Sequence, residues 1–123
     1  MLGPTLITMI TSDATLAPLV STRVYALQFP ADPTFPCITY REISGYQVPN
    51  TGAAVYISRV QIDIWDRTYN GVGAVADGVK ALFNLAESGD IVYTSVDLMF
   101  DIFEQGTKLY RKVIDVSIKH EDN

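Results

Sequence analysis

Alternation of apolar and polar residues, mostly in the second half of the chain, constrains the fold more than any other feature of this sequence. Residues 54–66, 91–103 and 109–120 alternate over most of their length, and a period of two is typical of a strand with one buried face. A shorter stretch at residues 37–43 has the same character. The sequence therefore predicts an antiparallel sheet of about four strands.

Two helical patterns accompany these strands. Residues 4–20 fit a helix that is broken near its middle, where Ser12 or Asp13 can cap a second short helix. Residues 70–87 have apolar side chains at steps of three and four, as an amphipathic helix requires, although three glycines weaken its propensity. The order α-α-β-β-α-β-β predicts an α+β fold with helices on one face of the sheet. A length of 123 residues predicts a single domain over residues 1–123.

Two stretches are predicted to lack regular structure. Residues 23–36 contain three prolines, which favour an irregular connector. Residues 44–53 are rich in Gly, Pro and Asn and form a loop too long for a tight hairpin turn.

Composition and charge exclude several classes of protein. The hydrophobic content of 48% is that of a globular domain, and the net charge of -5 argues against a protein that coats nucleic acid. A single cysteine rules out an internal disulfide. No apolar run is long enough to cross a membrane, and the first residues lack the features of a secretory signal.

The sequence also offers no convincing site for chemistry. His120 is expected to be a solvated histidine near the end of the chain, and Cys37 a small buried hydrophobe. The glycines at 71 and 73 lack the lysine that a phosphate-binding loop needs. Asp97 and Asp101 would lie about 13 Å apart along one strand, too far to chelate one ion. We therefore predict no catalytic, cofactor-binding or metal-binding residues, and no enzymatic activity.

The apolar residues of the last two strands predict how these strands pair. If both apolar sets face one core, the numbers of paired residues sum to 212, which places Leu98 opposite Ile114 and Val96 opposite Val116. A three-residue loop at 105–107, with a bulge there, would connect the strands. The same register pairs Asp101 with Arg111 and Asp97 with Asp115.

This register makes the face turned away from the helices partly apolar. It places Met99 opposite Val113, and Phe103 opposite Leu109. In the long strand before the second helix, Val55 and Ile57 have the opposite parity to the core residues, which indicates either a bulge near Ser58 or Arg59, or a projecting arm. An apolar outer face is typical of a protein interface, although scattered surface hydrophobes would give the same pattern. The candidate oligomer interface comprises Val55, Ile57, Trp65, Met99, Phe103, Leu109 and Val113.

Four local patterns occur in a recognisable order: DATLAPLV at residues 13–20, RVY at 23–25, FPCITY at 35–40 and VQIDIWDR at 60–67. With the helix that follows and the final strand pair, the chain resembles the small tail completion, or tail terminator, proteins of long-tailed bacteriophages. The resemblance extends over nearly the whole chain. It implies a structural virion protein without catalytic residues, assembled in the host cytoplasm and located at the head-proximal end of the tail.

The resemblance further implies a hexameric ring that caps the tail tube and contacts the tube protein and the head-closure or neck protein. DNA would pass through the ring without specific binding. Acidic side chains that face the hole would repel the duplex, and the alternative is that they form inter-subunit pairs with Arg59, Arg67 or Arg111. A tail-tube or neck adaptor subunit, or a small dimeric bacterial ligand-binding or regulatory domain, remains as an alternative function. The candidate lumen-facing acids are Asp63, Asp97, Asp101 and Asp115.

Overall fold

A five-stranded sheet with helices packed on one side forms the fold. The computed structural model describes residues 2–49, 54–87 and 91–121. The helices are α1 (Leu2–Ser12), α2 (Ala17–Val20) and α3 (Tyr69–Leu82). The strands are β1 (Val24–Ala26), β2 (Cys37–Gln47), β3 (Val55–Asp66), β4 (Ile91–Glu104) and β5 (Leu109–Glu121).

The sheet has the strand order β1-β2-β3-β5-β4. β1 runs parallel to β2, whereas all other neighbours are antiparallel. The predicted α+β class is confirmed, and the four predicted strands form and are antiparallel; the prediction of about four antiparallel strands is off in that the sheet has a fifth strand, β1, which makes it mixed. β1 was not predicted because three residues are too few to show an alternating pattern and because it lies within the proline-rich stretch that was predicted to be irregular.

The core lies between the sheet and helices α1 and α3. Val60, Ile62 and Ile64 of β3 are fully buried together with the even-numbered apolar residues of β5. The face that these residues share is called the helix side below, and the opposite face the outer face. The buried helix residues that pack in the same cluster are Leu6, Met9, Ile10, Val20, Val72, Val75, Ala76 and Val79.

The helix boundaries follow local hydrogen bonds. The Asp13 carboxylate accepts from the backbone N–H groups of Thr15 and Leu16 in the turn that precedes α2, whereas the N-cap of α2 is Leu16 and has no side-chain cap, so the prediction that Ser12 or Asp13 caps this helix is wrong. α3 begins one residue earlier than predicted, and the Thr68 hydroxyl caps it by accepting from the Gly71 N–H. It ends at Leu82 instead of residue 87.

The early end of α3 is fixed by a buried threonine on β4. The Thr94 hydroxyl donates to the Phe83 carbonyl at 2.7 Å and accepts from the Ala86 N–H at 3.0 Å. Leu85, between these two residues, has a φ of 56°. The backbone therefore leaves the helical conformation before it reaches residue 87.

The register of β4 differs from the prediction beyond Val96. Val96 lies opposite Val116 as predicted, but a shift between Val96 and Leu98 places Leu98 opposite Asp115 and Met99 opposite Ile114. The loop to β5 consequently has four residues, 105–108, instead of three. The bulge expected at the loop lies inside the strand, and it reverses the faces of residues 98–104.

The β2–β3 pair also departs from the prediction. β3 pairs with β5 without a register shift, so the bulge expected near Ser58 is not in β3. The shift lies in β2, between Glu42 and Ser44. β2 continues to Gln47, so the first four residues of the predicted 44–53 loop form a strand, while residues 50–53 lie outside the described residues.

Candidate assembly surface

The outer face is closed near β1 by the connector between β1 and β2. Phe29 packs edge-on against Trp65, with ring centroids 5.2 Å apart, and against Phe35 at 5.8 Å. The Arg111 guanidinium lies over the Trp65 ring, 4.8 Å from its centroid, and the indole N–H donates to Thr39 Oγ1. The predicted interface residue Trp65 is therefore already in contact with three parts of its own chain.

Three other predicted interface residues on the outer face are buried within the subunit. Val55, Leu109 and Val113 all have their side chains withdrawn from solvent, and Ile57 is half-buried. All four lie on the outer face, which is the face predicted for Leu109 and Val113, whereas Val55 and Ile57 reach it without the bulge or projecting arm that was expected.

Met99 and Phe103 are exposed but do not share that face. The shift after Val96 places them on the helix side, where the Phe103 ring lies 4.9 Å from the Tyr110 ring. The predictions that pair Met99 with Val113, and Phe103 with Leu109, are therefore wrong. The seven candidate interface residues do not form one continuous surface.

The exposed apolar residues of the outer face are ones that the sequence analysis assigned to the core. Leu98 and Phe100 have 51% and 44% of their surface exposed, and Ile102 is half-buried beside them. These residues follow the bulge and lie opposite Asp115, Val113 and Arg111. No signal in the sequence distinguishes the two registers, because both parities of residues 98–103 are largely apolar.

Two of the four candidate lumen acids are paired inside the subunit. Asp115 is buried and accepts a hydrogen bond from Arg59 at 2.6 Å, which raises the pKa of that guanidinium. Asp63 is also buried, and it accepts from Arg111 at 3.1 Å and from the Gln61 amide. Asp63 and Asp115 thus have the arginine partners named in the inter-subunit alternative, but within one chain.

The other two acids are exposed on opposite faces. Asp97 lies at the β4 bulge and accepts from the hydroxyls of Ser95 and Ser117. Asp101 is on the helix side, 3.3 Å from the Lys112 ammonium, and accepts from the Tyr69 hydroxyl. The predicted pairs Asp97–Asp115 and Asp101–Arg111 are therefore wrong.

Within the described residues the sheet has two unpaired edges. β4 has β5 on one side and no described strand on the other. β1 pairs only with residues 38–40 of β2, which leaves residues 41–47 open on that side. A groove of about 640 Å³ runs beside β4 between the strand and α3, and is lined in part by Asp77, Lys80, Asp97 and Leu98.

His120 and Cys37, the two side chains considered for nucleophilic chemistry, are both buried. His120 is buried, and its Nε2 lies 2.8 Å from the Ser58 hydroxyl, with Tyr56 stacked on the ring. The prediction that His120 is solvated is thus wrong, because β5 continues to Glu121 and pairs His120 with Tyr56. Cys37 is buried as predicted, and desolvation raises the pKa of its thiol to about 11.

Among residues 2–49, 54–87 and 91–121, no three His, Cys, Asp or Glu side chains come together in a way that could hold a metal ion. None of the helices in those ranges has the length and apolar character needed to span a membrane.

Comparison with known proteins identifies relatives over the whole fold. The model of a family described as tail completion protein gp17 matches residues 4–121. Among solved structures, a chain of the virion of a native gene transfer agent particle matches with a TM-score of 0.78 and 17% identity, covering 97% of this chain and 93% of that chain. This likeness shows a shared fold. No curated protein matches.

Proposed function

Because the chain belongs to the tail completion protein gp17 family and is a structural protein of a phage tail, we propose that it is the terminator of that tail. In this role it forms a hexameric ring that caps the tail tube at its head-proximal end and joins the tail to the head. The tube protein and the head-closure or neck protein are its partners. The family match also confirms the resemblance found in the sequence.

The observation that carries the proposal is the exposed apolar surface of β4. Leu98 and Phe100 on the outer face, with Met99 and Phe103 on the helix side, are uncovered along the same strand. Contiguous exposed apolar surface marks a site of protein association in a small domain. This surface replaces most of the interface that the sequence predicted, since Val55, Leu109 and Val113 are already buried.

The proposal assigns the lining of the ring to acids that are exposed. Asp97, beside Ser117 of the outer face, is the acid proposed to line the ring, whereas Asp101 lies on the opposite face and pairs with Lys112, and Asp63 and Asp115 pair with arginines of their own subunit. An exposed carboxylate near the DNA would repel phosphates over about 8 Å at physiological salt, so that the duplex slides instead of binding.

Deletion of the gene in a strain that produces particles tests the terminator role. A terminator is required to stop tube growth, so electron microscopy should show tubes longer than normal and heads without tails. Tails of normal length that are detached from heads would indicate a neck adaptor, and the absence of any tube would indicate a tube subunit. Either of these results would overturn the proposal.

A pair of variants tests the apolar surface. Phe100→Asp should give a folded protein that fails to restore tails in the deletion strain, because a carboxylate would be desolvated on assembly. Thr8→Asp, at an exposed position of α1, is the matched control and should restore them. Circular dichroism of both purified variants checks folding, and full complementation by Phe100→Asp would exclude this surface from assembly.

A further inference from the structure

The two open edges of the sheet complement each other. The last backbone hydrogen bond from the β1 segment to β2 runs from the Leu27 N–H to the Tyr40 carbonyl, and no strand of the described residues pairs with this side of residues 41–47. Residues 98–104 of β4, beyond the bulge, present an edge of equal length at the other end of the sheet. Unpaired backbone N–H and C=O groups in such edges are a template for another strand.

The exposed large apolar side chains concentrate on these same edges. Most of those in the described chain lie on β4 or on residues 41–47 of β2, and few lie elsewhere. On β2 they are Ile43 and Tyr46, and on β4 they are Val92, Tyr93, Leu98, Met99, Phe100 and Phe103.

Strand direction makes a second copy of this chain a suitable occupant. β2 and β4 run antiparallel to each other, since three antiparallel steps separate them across the sheet. A neighbour that continues the sheet therefore brings its β2 antiparallel to β4, with its helices on the same side. We propose that residues 99–104 of β4 pair with residues 41–47 of β2 in the next copy. The inference rests on the proposed ring, and it specifies the contact that closes it.

The faces of the two strands restrict the register. On the outer face β2 presents Arg41, Ser44 and Tyr46, because the shift at Ile43 changes the parity there. β4 presents Leu98, Phe100, Ile102 and Glu104 on the same face. If the outer faces of the two strands coincide, the possible registers differ from one another by steps of two residues, because a shift of one residue would reverse the faces.

Charge selects among these registers. When Arg41 lies opposite Glu104, the β2 shift brings Tyr46 opposite Phe100. Glu104, which accepts from Arg111 of its own subunit at 3.2 Å, then gains a second cationic partner, and the outer face gains an aromatic pair. Moving the strands by two residues places Arg41 opposite Ile102 and loses the ion pair. Opposite charges and aromatic pairs stabilise neighbouring strands. An interface between two different edges of the same chain repeats head to tail and gives a closed ring when the rotation between copies closes.

Cysteine cross-linking tests the predicted register. Directly opposite residues of antiparallel strands have Cα atoms about 4.5–5.5 Å apart, within the range of a disulfide. Oxidation of the purified Tyr46→Cys, Phe100→Cys double variant should give a ladder of covalent oligomers, whereas either single variant should give at most dimers. The double variant Thr8→Cys, Phe100→Cys is the control and should give no ladder. Native Cys37 is buried and is kept in all variants.

Charge exchange gives an independent readout. Arg41→Glu and Glu104→Arg should each weaken ladder formation in the double-cysteine background, and the two together should restore it. The proposed edge pairing is overturned if the Tyr46→Cys, Phe100→Cys variant gives no more covalent oligomers than the controls. It is also overturned if this variant gives a ladder that the charge substitutions do not change. Rings seen by electron microscopy without cross-links would overturn the pairing but not the terminator role, which the deletion experiment decides separately.

Discussion

Two glycines of α3 should respond in opposite directions to the same substitution. A Cβ atom on Gly73 would have no neighbour within 4 Å, whereas one on Gly78 would lie 2.6 Å from Leu16 Cδ2 and 3.1 Å from Leu16 Cγ. Carbon atoms in contact prefer about 3.5–4.0 Å. Leu16 is fully buried in the core, so moving its side chain away from the new methyl group would require neighbouring core residues to repack.

The expected magnitudes follow from these distances. Replacing glycine by alanine inside a helix stabilises it by about 1 kcal/mol, so Gly73→Ala should raise the free energy of unfolding by about that amount. In Gly78→Ala the same gain is opposed by overpacking, which costs about 1–3 kcal/mol. The second variant should therefore be about 1 kcal/mol less stable than the wild type, and about 2 kcal/mol less stable than Gly73→Ala.

Urea unfolding followed by circular dichroism gives these free energies by linear extrapolation. The double variant Leu16→Ala, Gly78→Ala identifies the cause, because shortening Leu16 removes the atoms that the new methyl group would meet. Leu16→Ala alone should cost about 3 kcal/mol, and adding Gly78→Ala to it should then be stabilising. Equal stabilisation by Gly73→Ala and Gly78→Ala in the wild-type background would refute the packing argument.

Three further predictions concern other parts of the molecule. Thr94→Val should lower the free energy of unfolding by about 2 kcal/mol, because the Phe83 carbonyl and the Ala86 N–H lose their buried partner. Thr94→Ser should lower it by less, since serine keeps the hydroxyl, and urea titration measures both values. Because the pKa of Cys37 is raised to about 11, roughly one thiol in a thousand is ionised at pH 8; alkylation should be slow there and accelerate towards pH 11, and rapid reaction at pH 8 in the folded protein would contradict this. Asp97→Lys should leave assembly intact and slow DNA ejection, whereas Asp115→Lys should unfold the subunit by placing an ammonium beside Arg59.

The long elements were predicted from sequence because the apolar pattern that identifies them repeats many times within one continuous segment. The apolar pattern of β3 repeats over several residue pairs and that of α3 over several helical turns, so that in each element the pattern indicates which side is buried. β1 is too short to show such a pattern, and its three residues are in strand conformation because they pair with residues 38–40.

The surface of β4 was predicted less well because the faces of residues 98–104 depend on the position of a single bulge residue. The bulge beside Asp97 moves Leu98 and Phe100 to the outer face and Met99 to the helix side, and the apolar character of residues 98–103 is compatible with either arrangement. The pairing of Asp115 with Arg59 joins residues 56 positions apart and becomes visible only when β3 and β5 are known to be neighbours. Sequence alone therefore predicted the layers of the fold but not the surface that β4 presents.

The position of β5 between β3 and β4 also governs when the sheet can form during synthesis. β4 leaves the ribosome before β5, yet its only described strand partner is β5, and β3 lacks one of its two neighbours until the same moment. A nascent chain that has not yet extended through residues 109–121 can form α1 and the β2–β3 hairpin but holds β4 unpaired on both sides. Under the proposed edge pairing, β4 can therefore accept β2 of a neighbouring copy only after β5 has been synthesised and has paired with it.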